Sequence, residues 1–84
     1  MANLNDTEKE ILTFLARNGP ADSISSIGRG LADSKNEEFD DASRSRVQYN
    51  VEELAQKGYV QREKAGNSHK VSLSKMGNLW VRTH

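Results

Sequence analysis

Eighty-four residues with 35% apolar content and five aromatics (Phe14, Phe39, Tyr49, Tyr59, Trp80) supply one modest core, so residues 1–84 read as a single domain. Cysteine is absent, which removes disulfide frameworks, thiolate metal sites and cysteine nucleophiles, and the two histidines, His69 and His84, are too far apart for a recognisable metal cluster. No apolar run approaches the roughly 20 residues of a membrane span, and the N-terminus lacks the basic-then-apolar layout of a secretory signal, so the expectation is a cytoplasmic chain with no membrane partner.

A formal net charge of zero conceals a division along the chain. Residues 1–41 carry four Lys/Arg against nine Asp/Glu, a net −5, whereas residues 42–84 carry eight against three, a net +5. A chain polarised in this way can present a cationic face to nucleic acid despite its neutral total.

The first periodic segment follows Asn5, Asp6 or Thr7, each able to cap a helix, and Glu8 and Glu10 suit the positive end of its dipole. Ile11, Leu12, Phe14 and Leu15 share one broad face, and Asn18-Gly19-Pro20 stops the element, predicting a helix over about 6–18. Asp22 or Ser23 caps a second helix, with Ile24, Ile27 and Leu31 at i, i+3 and i+7; Gly28 and Gly30 weaken it and leave room for a close neighbour. Residues 33–41 (DSKNEEFDD) have no helical stripe and read as an acidic loop with Phe39 tucked onto the core.

A third helix is predicted from Asp41 or Ser43 to Lys57, burying Val47, Val51, Leu54 and Ala55 and ending at Gly58. The period then shortens. Residues 59–64 (YVQREK) and 69–74 (HKVSLS) are partly alternating runs around Ala65-Gly66-Asn67-Ser68, the composition of a β-hairpin. Ser74 caps a last helix whose Met76, Leu79 and Trp80 are expected to pack on the first helix beside Leu12 and Leu15. The fold class is therefore mainly α with a small antiparallel hairpin.

The join between the third helix and the hairpin is the most specific signal. Counting from Val47, aliphatics stand at +4 (Val51) and +7 (Leu54), glycine at +11 (Gly58) and an aromatic–aliphatic pair at +12 and +13 (Tyr59, Val60). Three aliphatics seat the helix, the glycine reverses the chain, and the pair opens a strand beside the helix end. Together SRVQYNVEELAQKGYVQRE (45–63) and VSLSKMGNLW (71–80) resemble the recognition helix, wing strands and following helix of winged helix-turn-helix proteins, of the MarR-like and ArsR-like regulator kind, and the likeness extends over residues 7–82. The nine-residue acidic loop departs from the tight turn usual in that family.

The resemblance implies a sequence-specific regulator of double-stranded DNA, its helix 43–57 in the major groove and its wing 59–74 on the backbone or minor groove. It also implies a homodimer joined through the first and last helices; with no sensor domain, no small-molecule effector and no cofactor are expected. On the helical wheel, Ser45, Arg46, Gln48 and Tyr49 point outward or sideways, with Ser43 and Arg44 near the N-terminus where phosphate is favoured. Arg46 suits a guanine edge and Gln48 an adenine edge, while Tyr49 suits a phosphate or a thymine methyl. Arg62, Lys64 and Lys70 flank the wing tip, where Asn67 adds a hydrogen-bonding group. Glu52 and Glu53 repel phosphate, which confines the approach to the first two turns. The blander alternatives are solvated Arg44 and Arg46 paired with Asp40 or Asp41, edge-strand protection by the wing cations, and Tyr49 as packing. A protein-interaction module or a non-specific architectural DNA-binding protein are the competing functions; an enzyme is not expected, because no His is placed to orient a nucleophile and no Gly-rich phosphate loop is present.

Overall fold

The computed structural model describes residues 3–83, except for the side chain of Ala65; His84 lies outside the described residues. Helix α1 spans Asp6–Asn18, α2 Ile24–Lys35 and α3 Asp41–Lys57, followed by strands β1 (Val60–Ala65) and β2 (Ser68–Leu73) and by α4 (Lys75–Thr83). This is the three-helix core, hairpin and closing helix that the sequence pattern predicts.

The helix starts are chemically explicit. Asn5 caps α1 in a capping box, its side chain accepting from the Glu8 N–H at 2.7 Å while the Glu8 carboxylate accepts from the Asn5 N–H at 2.9 Å. Ser23 caps α2 and Asp40 caps α3, each accepting from the N–H three residues on.

The predicted loop over 33–41 is shorter than expected. Helix α2 continues to Lys35 because Asn36 adopts the left-handed conformation (φ 57°), its N–H donating to Asp33 O and the Glu37 N–H to Ala32 O, the two bonds of a Schellman cap. An ion pair of Lys35 with Glu10, at 2.7 Å, holds that last turn on α1. Only residues 36–40 join α2 to α3, which brings the connection closer to the tight turn of the family resemblance. Phe39 is half-buried with its ring over Gly28, and the Phe14 ring lies over Gly30; each glycine provides room for a ring where a Cβ would collide with it.

The core comprises Ile11, Leu12 and Leu15 of α1, Ile24 and Ile27 of α2, Val47, Val51 and Leu54 of α3, and Ala21, Val60 and Val71. In the hairpin Val60 pairs with Leu73 and Ala65 with Ser68, so Gly66 and Asn67 form a two-residue turn with positive φ at Gly66. Ala21 adds a short third edge, exchanging backbone hydrogen bonds of 2.8 and 2.9 Å with Val71, a pairing that the sequence does not announce.

The end of α3 and the start of α4 are built against each other. Gly58 takes the left-handed position that ends α3, and the Tyr59 N–H reaches back to Leu54 O. Ser74 Oγ donates to Gly58 O at 2.5 Å and accepts from the Gly77 N–H, while a Cβ at Gly77 would strike the Tyr59 carbonyl. This seat fixes the rotation of α4 so that Gly77, Trp80 and Val81 face inward. Met76 and Leu79 are consequently 44% and 53% exposed, contrary to their expected place in the core.

Candidate nucleic-acid interface

Helix α3 is anchored on two sides. Its aliphatic stripe is buried, and a polar network fixes the flank that faces α1: Asn5 Nδ2 donates to Asn50 Oδ1 at 2.9 Å, Asn50 Nδ2 donates to Arg46 O at 2.8 Å, and Lys57 Nζ donates to both Glu8 carboxylate oxygens. Both Glu8 and Asn50 are buried, and each is satisfied by this network. Glu8 is expected only as a dipole partner and Asn50 carries no sequence signal of its own, whereas the Asn5-x-x-Glu8 spacing is the signal that identifies the capping box.

With those flanks occupied, Ser45, Gln48 and Glu52 form the outward strip at i, i+3 and i+7, and Arg44 borders it one turn before Gln48. Arg44, Ser45, Arg46 and Gln48 are all exposed, and neither arginine makes an ion pair among the described residues. Arg46 stands apart. At about 100° per residue it is turned roughly 160° from Gln48, and it lines a cleft of about 40 Å³ together with Glu10, Lys35, Glu37, Glu38 and Ser43. The two residues expected to read a guanine and an adenine edge therefore project from opposite flanks of one helix.

Ser43 is half-buried in the same cleft, and its N–H is already taken by the Asp40 carboxylate at 2.8 Å. That hydrogen bond lowers the Asp40 pKa, with a further contribution from the Ser43 hydroxyl, so the N-terminus of α3 carries its own anion. Tyr49 is 60% exposed, but its hydroxyl is engaged by Glu53, whose hydrogen bond and charge raise the phenol pKa.

The wing register divides its cations. Arg62 faces inward opposite Val71, Lys64 shares that face with His69, and Lys70 stands on the other face opposite Glu63. Lys64, Asn67 and Lys70 are exposed, whereas Arg62 is half-buried and its guanidinium lies 3.8 Å from Glu52 of α3. Together α3 and the wing offer a planar guanidinium, hydroxyl and amide groups and lysine ammonium groups on neighbouring exposed surfaces. Among the described residues no group of three or more His, Asp or Glu is placed to hold a metal ion, and no described helix is long and apolar enough to cross a membrane.

Residues 7–84 match the family described as the DUF6293 C-terminal winged helix domain. The chain belongs to this family. No curated protein matches it. Among solved structures it is similar to the RosR-S1 complex, with 25% identity over 95% of this chain and 68% of that one and a TM-score of 0.83. It is also similar to RosR of H. salinarum, with 24% identity over 96% and 70% of the two chains and a TM-score of 0.83. Rv1404 from Mycobacterium tuberculosis shares the fold at 19% identity, the match covering 95% of this chain and 50% of Rv1404 with a TM-score of 0.71. In this winged-helix domain α3 is the third helix of the core and β1–β2 is the wing hairpin.

Proposed function

We propose that this domain is a sequence-specific double-stranded DNA-binding transcription regulator that inserts α3 into the major groove and lays its wing along the backbone or minor groove. The observation that carries this reading is the exposure of Ser45 and Gln48 on α3, with Arg44 exposed in its first turn, on a helix whose inner side is locked by Val47, Val51, Leu54 and Asn50. A rigid helix with adaptable outward donors is what direct base reading requires. Arg44 and Gln48 are the base-edge candidates, Ser45 a backbone or base contact, and Lys64, Lys70 and Asn67 the wing contacts; Arg46, Ser43 and Tyr49 support the helix or touch phosphate from its flank.

The exposed Met76 and Leu79 of α4 support a homodimer, which would present two copies of α3 to a palindromic site. Family membership and the likeness to RosR support the winged-helix part of this reading.

An NMR titration with a random-sequence duplex tests it. Amide shifts concentrated at residues 44–52 and 62–70 are expected at low salt. Shifts absent there, or confined to the acidic segment 36–41, would contradict DNA binding and favour a protein-interaction module.

A further inference from the structure

Glu52 lies at the end of the outward strip of α3, one turn beyond the two turns expected to approach the duplex, where a bare carboxylate repels a phosphate backbone but can still meet a base edge. Its side chain is 46% exposed and stands 3.8 Å from Arg62 Nη1 on β1, too far for a hydrogen bond. The Arg62 Nε donor is buried with no hydrogen-bond partner. Beyond the packing of its half-buried stem, Arg62 is thus drawn to α3 by charge without a hydrogen bond among the described residues, and the carboxylate facing it keeps its acceptor capacity.

We propose that Glu52 is a specificity-determining residue, accepting a hydrogen bond from the N4 amino group of a cytosine in the major groove and releasing Arg62 to a neighbouring phosphate. This rests on the reading of α3 as the helix that enters the groove. A carboxylate is acceptor-only, so it seeks an amino group; that of adenine sits beside the N7 acceptor, whereas cytosine presents its N4 donor without an adjacent acceptor on the same base. On a generic duplex Glu52 stays beside Arg62, cancels one wing charge and repels the backbone. On a matched duplex the cytosine amino group satisfies the carboxylate, and Arg62 becomes an additional phosphate contact. Glu52 therefore weakens non-specific binding more than specific binding, and discrimination arises partly from repulsion.

The test compares the full chain with Glu52→Gln, which retains the size of an exposed side chain, by selection from a randomised duplex pool and by salt titration on a random duplex. The wild-type chain is expected to enrich cytosine at one position of each half-site. Glu52→Gln is expected to lose that preference and to bind the random duplex several-fold more tightly, with a slope of log K against log salt steeper by about 0.9. Retention of the cytosine preference, or an unchanged affinity for the random duplex, overturns the assignment. If the wild-type chain binds DNA and the variant is indistinguishable from it, only the role of Glu52 falls; if the wild-type chain binds no duplex at all, the DNA reading fails as well.

Discussion

Lys57 Nζ donates to Glu8 Oε1 and Oε2 at 3.1 and 2.9 Å, tying the last turn of α3 to the first turn of α1 across 49 residues of chain. The carboxylate is 1% exposed and also completes the capping box at Asn5, so one buried charge holds both the start of α1 and the tilt of α3. Removing the ammonium strands that charge in the core. Lys57→Met is expected to cost about 3 kcal/mol, whereas the double variant Glu8→Gln/Lys57→Met loses distinctly less because no unpaired ion remains. Urea denaturation checks this through a lowered midpoint at unchanged m-value.

Gly77 admits no side chain where α4 crosses the end of β1, since a Cβ would strike the backbone carbonyl of Tyr59 and no side-chain rotation relieves it. Gly77→Ala is expected to destabilise by about 1–3 kcal/mol, despite alanine's better helix propensity. Thermal unfolding followed by circular dichroism measures it; an unchanged midpoint would show that the seat of α4 is looser than described.

The Asp40 cap makes α3 sensitive to acid. Its carboxyl pKa lies below the ordinary 3.8 because the ionised form accepts from Ser43. A depressed folded-state pKa means that the stabilisation is fully present above the unfolded value and is lost as pH falls through the folded value. Helicity of α3 should hold from pH 7 down to about 4, with fraying of its first turn below that. Asp40→Asn retains the cap and should remove this part of the acid response, as read from amide chemical shifts of residues 41–44 against pH.

Met76 and Leu79 expose an apolar edge of α4 that the intramolecular core does not use. If this edge is the seam of a homodimer, Met76→Glu/Leu79→Glu yields a monomer with an unchanged circular dichroism spectrum, as counted by sedimentation. A wild-type chain that sediments as a monomer at high concentration would refute the dimer, and the palindromic site with it.

Local signals made much of the fold readable in advance. Asn5 and Ser23 carry cap chemistry, Gly58 ends α3 and Gly66-Asn67 turns the hairpin; each rests on residues within a few positions of one another, although Asp40, expected in the acidic loop, is the residue that caps α3. Features set by long-range contacts were harder to read. Helix α2 extends because Lys35 reaches Glu10 and Asn36 adopts a left-handed cap in place of continuing as loop. Helix α4 turns Met76 outward because Ser74 is fastened to Gly58. The sequence names candidate residues of the site but not the surface on which each one stands. The wheel alone separates Arg46 from Gln48, yet only the fold shows that Arg46 lines a cleft together with Glu10, Glu37 and Glu38. The division of Lys64 from Lys70 follows from the pairing of Ala65 with Ser68, once the turn residues are known.

The most direct measurement of the central claim is a gel-shift series on a selected duplex and a random duplex across salt, comparing the wild-type chain with Arg44→Ala/Gln48→Ala and with Lys64→Ala. The double variant is expected to lose affinity for the selected duplex by about 2–5 kcal/mol and much less for the random one. Lys64→Ala should weaken both duplexes alike and flatten the salt slope by about 0.9. Undiminished, equally selective binding by Arg44→Ala/Gln48→Ala would contradict the assignment of α3 as the helix that reads the DNA.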